Sequence, residues 1–292
     1  MRLAVDSFSY HLHLGRHWFH PARPRSLRWY CDSCRELGLD GLHIDPAHID
    51  LDRDIDWLAD YARRSGLAIE LGAFGTSVEQ LAGPLAAAER LGAEVLRTFV
   101  GGSCADGRDA TAERARTARR ELERSVELAG CHNVCIAVEN HGDLFLEDLL
   151  ALLEIESPWL GVCYDSGNFA FTGEDPVAAL DALAERIACT HLKDVCEPGR
   201  FSDAEPFRSP DGGFHFCALG DGELPVQQIV EALRAEKGNG LNLSIEVHSP
   251  WRKSLTEERL LAFEADNVAR SVTYARDTLG IRKMEPPGGT ER

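Results

Sequence analysis

Short apolar segments alternate with segments of helical periodicity along almost the whole chain, and this alternation restricts the fold more than any other feature. Eight apolar segments have the length and the branched or aromatic side chains typical of buried strands. The predicted strands are residues 2–6, 41–45, 67–72, 95–100, 134–139, 160–165, 187–192 and 242–247.

Amphipathic segments separate these strands, and glycines such as Gly38, Gly66 and Gly92 follow several of them where a helix C-cap is expected. The predicted helices are residues 25–37, 54–65, 77–91, 111–130, 146–155, 176–186, 224–236 and 256–278. Eight strand–helix units in 292 residues predict an α/β protein with a single (β/α)8 TIM barrel, whose usual length is about 250 residues. A doubly wound open sheet is the alternative, but it gives no reason for eight repeats.

Two long segments, residues 11–24 and 196–219, interrupt the alternation and are rich in Pro, Gly, His and aromatic residues. Each follows a strand, which in a TIM barrel places it at the C-terminal face, where active sites form. We therefore expect one barrel domain over residues 1–282, with active-site insertions at 11–24 and 196–219. Residues 283–292 are expected to form a flexible C-terminal tail.

The composition argues against several classes of partner. With 48 acidic and 31 basic residues, the net charge of −17 would repel a phosphate backbone, so we expect no nucleic acid partner. No segment approaches the ~18 apolar residues of a membrane span, and the N-terminus lacks the order of a secretory signal. We expect a cytoplasmic protein with reduced cysteines and no membrane contact.

Four of the predicted strands end in side chains that can bind a metal ion: Glu139, Asp165, His191 and Glu246. The carboxyl ends of barrel strands meet at one mouth, so these side chains are expected to converge. Three carboxylates and one imidazole suit one divalent ion, Mn²⁺ first, with Mg²⁺, Co²⁺ or Fe²⁺ as alternatives. The simpler interpretation is that each is a solvated charge at a barrel rim.

Five motifs on these strands and loops resemble the xylose isomerase-like barrel superfamily: VENHGD (138–143), YDSGN (164–168), HLKD (191–194), LGDGEL (219–224) and SIEVH (244–248). Within it they look like the sugar isomerase/epimerase branch, which includes D-tagatose 3-epimerase and inosose dehydratase relatives. The resemblance implies that Glu139, Asp165, His191 and Glu246 hold the metal and that Glu139 and Glu246 also act as an acid/base pair.

The resemblance further implies a metal-dependent isomerase or epimerase that acts on a ketose or keto-polyol through an enediolate. The first alternative is a lyase that uses the same enolate, either an inosose-type dehydratase or a keto-glycoside-cleaving enzyme. The second is a metal-binding barrel subunit without catalysis, since a fold alone does not establish a function.

One position departs from the epimerase pattern, which often has a histidine three residues after the aspartate. Asn168 stands there, and an amide can bind a hydroxyl but cannot transfer a proton near neutral pH. This departure favours the dehydratase-like members over a plain epimerase. The endonuclease branch needs further His and Asp ligands for three zinc ions, and neither Asn168 nor the residues around Phe216 supply them.

Strand alternation places two further side chains at the same mouth. His141 shares the strand face of Glu139 and is a candidate general acid or base, or else a histidine that fixes a loop. Lys193 shares the face of His191, where an ammonium could stabilise an oxyanion, or else forms a surface salt bridge.

The remaining candidates are side chains for binding a small sugar or keto-sugar. Together with Lys193 and Asn168, they are His11, His13, His43, Arg200 and His215. Glu70, inside the third strand, is either structural or a substrate contact. We expect a homo-oligomer, with a hetero-oligomeric partner subunit as the alternative.

Overall fold

The computed structural model describes residues 1–283, which form a closed barrel of eight parallel strands surrounded by helices. The barrel strands are β1 (Arg2–Asp6), β2 (Gly41–Ile44), β3 (Ala68–Gly72), β4 (Val95–Thr98), β5 (Cys135–Glu139), β6 (Leu160–Asp165), β7 (Ile187–Leu192) and β10 (Asn242–Ile245). Strands β8 (Asp194–Cys196) and β9 (His215–Cys217) lie outside the barrel. The predicted tail, apart from Lys283, lies outside the described residues.

The barrel closes because β1 pairs in parallel with both β10 and β2. The order around the barrel is β1-β10-β7-β6-β5-β4-β3-β2. A doubly wound sheet would leave two unpaired edges, so this closure confirms the predicted (β/α)8 barrel and rules out the open sheet.

Within residues 1–283 there are ten α-helical segments: α1 (His11–Leu14), α2 (Leu27–Glu36), α3 (Ile55–Ser65), α4 (Val78–Leu91), α5 (Arg108–His132), α6 (Leu146–Leu153), α7 (Phe169–Thr172), α8 (Pro176–Leu183), α9 (Val226–Lys237) and α10 (Glu257–Asp277). Gly66 and Gly92 end α3 and α4 with φ of 67° and 69°, the left-handed conformation that favours glycine. Each glycine therefore turns the chain into the next strand.

The larger insertion contains an element that the sequence analysis did not predict. Strands β8 and β9 form an antiparallel hairpin in which Val195 pairs with Phe216. The Asp194 carboxylate accepts hydrogen bonds from the backbone N–H groups of Gly220, Gly222 and Leu224, at 3.0, 3.0 and 3.1 Å. This carboxylate joins the base of the hairpin to the turn before α9.

The helices and the cysteines concern two expectations from the sequence, one about membrane contact and one about the state of the thiols. Among the described helices, none combines the length and the apolar character that a membrane crossing requires. All nine cysteines are free, and Cys31 and Cys34, which form a CxxC, are buried on α2 as part of the core.

Candidate active site

The four candidate metal ligands meet at the C-terminal mouth of the barrel. Glu139 ends β5, Asp165 ends β6, His191 lies near the end of β7 and Glu246 directly follows β10. Each is buried, and one ligand atom from each lies within 4.8 Å of the others. Parallel pairing sets this convergence, since Asp165 is the direct register partner of His191.

Local hydrogen bonds fix the strand ends. One oxygen of Asp165, Oδ1, accepts hydrogen bonds from the backbone N–H groups of Gly167 and Asn168 at 2.8 and 2.9 Å, so the other oxygen points into the site. The Asn140 side chain bonds both the N–H and the C=O of Asp165, each at 2.8 Å. Asn140 therefore joins the end of β5 to the end of β6, and the turn after Asp165 fixes the orientation of its carboxylate beside the other candidate ligands.

His191 lies at the centre of the cluster. Its Nδ1 atom is 2.7 Å from Glu246 Oε2, 3.1 Å from Glu139 Oε1 and 3.8 Å from Asp165 Oδ2. Burial lowers the pKa of His191, but the carboxylates of Glu139 and Glu246 outweigh burial and raise it well above its ordinary value. Without a metal ion, the protonated imidazole compensates the carboxylate charge.

Two further buried cations face the same carboxylates. The Lys193 ammonium lies 2.8 Å from Asp165 Oδ2 and 2.9 Å from Glu246 Oε1, and it donates to Asn168 Oδ1 at 3.2 Å. Arg97, at the end of β4, pairs with Glu139 Oε2. Burial alone would lower the pKa of Lys193. The carboxylates of Asp165 and Glu246 raise this pKa by more than burial lowers it, so the ammonium stays charged.

The donor set fits a divalent ion. Asp165 Oδ2 and Glu246 Oε2 are buried without a hydrogen bond of good geometry in the described part of the chain, although cationic groups lie close to both. Oxygen atoms with one imidazole are ligands that Mn²⁺ and similar ions accept. An ion bound there would take the place of the proton on His191 Nδ1.

A second set of polar groups supports His191 from inside the barrel. His191 Nε2 lies 3.3 Å from His43 Nδ1 and 3.5 Å from Asp6 Oδ2, and His43 Nδ1 lies 3.3 Å from Glu70 Oε2. Such groups orient a ligating imidazole and fix its tautomer. The structure thus places His43 and Glu70 behind the candidate ligands rather than on a substrate-facing wall.

A cavity of about 390 Å³, the mouth cavity, opens above the cluster. Its polar wall includes Glu246, Lys193, Arg97, His141 and Asn168. Aromatic rings form most of the remaining wall: Phe8, Trp18, Phe74, Phe99, Phe171, Phe207 and Phe216. Glu139 is fully buried behind this wall, where Asn168 Nδ2 donates to its Oε1 atom at 3.1 Å.

His141 reaches the mouth cavity, where its ring stacks on Phe99 with centroids 4.1 Å apart. Burial lowers the pKa of His141 to about 4, with Glu139 opposing and Arg97 reinforcing the shift. The imidazole is therefore neutral near pH 7 and can donate or accept one hydrogen bond.

Four predicted substrate contacts lie away from the described lining of this cavity. His13 pairs with Glu264 of α10 at 2.6 Å, and His11 Nε2 lies 3.0 Å from the carbonyl oxygen of Ser249. The guanidinium of Arg200 pairs with Asp221 at 2.9 Å. His215 in β9 packs against Phe201, with ring centroids 5.5 Å apart. These four residues and His43 are absent from the described lining of the mouth cavity, and their role as substrate contacts stays a prediction.

His248 and Arg97 are among the polar cavity residues that the sequence did not identify. His248 follows Glu246 by two residues and stacks on Phe216 with centroids 5.5 Å apart. The strand alternation that identified His141 and Lys193 could have identified it too. Arg97 gave a weaker signal, a single charge within an otherwise apolar strand.

Comparisons with known proteins agree with this architecture. The family model described as xylose isomerase-like TIM barrel matches residues 31–268. The solved structure of the IOLI protein with a bound zinc atom superposes with a TM-score of 0.67 and 17% identity, covering 94% of this chain and 98% of that one. At this identity the superposition shows the fold alone.

Two characterised relatives match over shorter stretches. The 3-oxo-isoapionate decarboxylase of Pectobacterium atrosepticum is 27% identical over 198 residues, 66% of this chain and 66% of that protein. The inosose dehydratase of Clostridium tetani is 32% identical over 91 residues, 30% of each chain. The matched segments span just under two thirds of the decarboxylase and less than one third of the dehydratase.

Proposed function

Because the chain belongs to the xylose isomerase-like TIM barrel family, we propose that it is a divalent-metal-dependent isomerase or epimerase of a ketose or keto-polyol. The observation that carries the proposal is the convergence of Glu139, Asp165, His191 and Glu246 beside the mouth cavity. Several relatives carry the names of sugar-modifying enzymes, which supports the proposal.

A divalent ion held by these four residues would polarise the substrate carbonyl and stabilise the enediolate that forms when the neighbouring C–H loses its proton. Lys193 contributes a fixed positive charge at the cavity wall, between Asp165 and Glu246. A charged donor in a site with little water stabilises a developing oxyanion more strongly than it would in solution.

Glu246 is the carboxylate that we assign to proton transfer. It lines the mouth cavity, whereas Glu139 lies behind the wall with Arg97, His191 and Asn168 on its oxygens. The proposed acid/base pair is thereby reduced to one proton carrier, with Glu139 kept as a metal ligand. A single carboxylate can move a proton between adjacent carbons on one face of the substrate, which yields an isomer. An epimer would need a second proton donor on the opposite face, and His141 of the cavity wall is the candidate for that role.

The aromatic wall supports a ligand with apolar faces. Phe99, Phe207 and Phe216 line the cavity together with hydrogen-bonding groups such as Asn168 and His141. Sugar rings offer C–H faces to aromatic side chains and hydroxyl groups to polar ones, which matches this mixed lining.

A lyase is the second candidate, and Arg97 is the observation that favours it. Its guanidinium lines the cavity, where it could bind a substrate carboxylate or a leaving oxygen. Loss of CO₂ from a 3-keto acid leaves its electron pair on an enolate oxygen. A dehydratase first forms the enolate by removing a proton, and the enolate then collapses as the group β to the carbonyl departs with its own electron pair. The decarboxylase and dehydratase named above match this reaction type.

The test is solvent deuterium exchange. The Mn²⁺-loaded protein is incubated in D₂O with ketoses, inososes, 3-keto-glycosides and 3-keto sugar acids, and products are followed by NMR and mass spectrometry. Deuterium in isomeric products alone supports the isomerase, and released water, aglycone or CO₂ supports the lyase.

The Glu246→Gln variant should lose exchange by about 100-fold or more, in the range of general acid–base catalysis. The matched control is Glu94→Gln, because Glu94 is an exposed carboxylate at the opposite end of the barrel. Exchange by Glu246→Gln at the wild-type rate would contradict the proton-transfer role. Absence of exchange with every substrate would favour a non-catalytic subunit.

Three finer expectations remain proposals: Mn²⁺ as the native ion, a cytoplasmic location and a homo-oligomeric state. Metal analysis of protein purified without added metal tests the first. Fractionation of the native host tests the second, and light scattering at several concentrations tests the third.

A further inference from the structure

A second group of potential metal ligands lies on the other side of the mouth cavity. One ligand atom each from His17, Asp45 and His48 lies within 4.8 Å of the others. These residues come from the loops after β1 and β2, whereas the first group comes from β5, β6, β7 and β10. The two groups share no residue.

Hydrogen bonds position two members of this group. Ser7 Oγ accepts from the backbone N–H of Asp45 at 2.8 Å and lies 2.8 Å from His48 Nδ1. Asp45 Oδ1 accepts from the N–H of Ala47 at 2.8 Å. When Nδ1 of His48 donates to Ser7, its Nε2 atom carries the free lone pair that a metal needs.

The third member is held by ring packing. His17 lies edge-on to Phe8, with centroids 4.6 Å apart, and edge-on to His48, with centroids 5.1 Å apart. His17 and Asp45 both line the mouth cavity. A ligand held by this group would therefore face the same space as the first group.

Two imidazole nitrogens of the group have no hydrogen-bond partner. His17 Nε2 and His48 Nε2 are buried atoms without a partner among residues 1–283, and His48 is only 6% exposed. A buried polar atom left unpaired costs free energy, so two such atoms beside a buried carboxylate indicate an absent ligand. Burial lowers the pKa of His48 to about 3 and lowers that of His17, so both rings are neutral near pH 7.

We propose that His17, Asp45 and His48 bind a second divalent transition-metal ion at the wall of the mouth cavity. Two imidazoles and one carboxylate suit Zn²⁺, Co²⁺, Ni²⁺ or Fe²⁺ better than Mg²⁺ or Ca²⁺, which prefer oxygen ligands. Three protein ligands leave positions open towards the cavity. This inference goes beyond the proposed function, because the first group alone accounts for the proposed reaction.

The test counts bound metal in untagged protein after equilibrium dialysis against Zn²⁺ or Co²⁺. We expect two ions per chain in the wild type and one in His48→Gln. Asp165→Asn disables the first group and should retain one ion, the one held by His17, Asp45 and His48. The double variant, Asp165→Asn with His48→Gln, should bind none. The separate Asp165→Asn arm distinguishes failure of this site from failure of the proposed active site.

Asp45→Asn is the second variant, because the asparagine oxygen can still accept from Ala47 N–H and keep the loop intact. It should also lose one ion. The control is His20→Gln, an exposed histidine of the same insertion. The visible absorption of bound Co²⁺ should lose one of two components in His48→Gln and keep both in His20→Gln. A single ion in the wild type that is lost in Asp165→Asn, or two ions retained by both His48→Gln and Asp45→Asn, would overturn the proposal.

Discussion

The two ends of the barrel both carry a cavity, and they differ in how their polar groups are satisfied. The base cavity, at the N-terminal end, has a volume of about 580 Å³ and is lined by Arg2, Arg35, Glu70, Glu94 and Asn242 among others. The mouth cavity is smaller, about 390 Å³. Cavity size therefore does not identify the candidate active site.

The state of the hydrogen bonds does distinguish the two ends. At the base, Glu70 accepts from Asn242 Nδ2 at 2.9 Å and from Ser244 Oγ at 3.1 Å. Asn242 Oδ1 is the only unpartnered buried atom among the described base-cavity residues. At the mouth, within residues 1–283, His17 Nε2 and His48 Nε2 have no partner, and Asp165 Oδ2 and Glu246 Oε2 have cationic neighbours but no hydrogen bond of good geometry. Paired polar groups stabilise the barrel, whereas unpaired ones that converge can bind a ligand.

The largest effect is expected from breaking the charge balance at the mouth. Arg97→Met would leave the buried Glu139 carboxylate without its guanidinium, which should lower the free energy of unfolding by about 3 kcal/mol or more. Urea denaturation of the metal-free protein measures this loss. Saturating Mn²⁺ should restore part of it, because the ion supplies a new positive partner for Glu139.

The matched control for Arg97→Met is Arg35→Met at the base cavity. Arg35 is 57% exposed where it approaches Asp32, so its removal should cost less than about 0.5 kcal/mol. Equal losses of unfolding free energy in Arg97→Met and Arg35→Met would mean that the buried Arg97–Glu139 pair contributes no more to stability than an exposed arginine at the base.

The next effect concerns metal affinity. Asp165→Asn should weaken Mn²⁺ binding by more than about 100-fold, since even groups that only support a ligand contribute 10- to 100-fold. Isothermal titration of the metal-free protein measures it. Tight binding retained by this variant would contradict the four-ligand site.

Metal affinity should also depend on pH. Burial raises the pKa of Asp165 to about 7, with Lys193 opposing the shift, and the pKa of His191 is also raised. Both groups must lose a proton to bind metal, so Mn²⁺ affinity should rise about 100-fold per pH unit between pH 5 and 7 and about tenfold above it. Titrations in buffers of different ionisation enthalpy count the released protons. A constant Mn²⁺ affinity between pH 5 and 7 would contradict the assignment of Asp165 and His191 as ligands that lose a proton when the metal binds.

The smallest effect is expected at the base. Glu94→Gln removes an exposed carboxylate from the larger cavity and should change the free energy of unfolding by less than about 0.5 kcal/mol. Mn²⁺ affinity should be the same as in the wild type. A large change in either quantity would mean that the base cavity also contributes to the site.

The periodicity of the sequence was sufficient to predict the barrel, because the apolar pattern of each strand and each helix lies within its own segment. The predicted strands agree with the structure to within two residues at each end, and the strand-end side chains converge because parallel pairing leaves them no other place. Glu139 and Asp165 could therefore be placed together from sequence, although one residue of register shift would have separated them.

Contacts between distant segments could not be predicted in this way. His13 follows a barrel strand as an active-site histidine would, but Glu264, 251 residues later, pairs with it. The Arg97–Glu139 pair crosses from β4 to β5, so it depends on which side chains point inward in both strands. The β8–β9 hairpin escaped prediction because its strands have three residues each, too few to show a period.

The β8–β9 hairpin belongs to the part of the mouth cavity wall that lies outside the barrel strands. Phe207 and Phe216 of the insertion wall the mouth cavity, yet residues 195–219 supply none of the four candidate metal ligands. The Asp194 carboxylate closes this excursion at its base through backbone hydrogen bonds alone. Changes of sequence between Asp194 and Gly220 would therefore alter the aromatic wall of the mouth cavity and leave all four candidate metal ligands in the sequence.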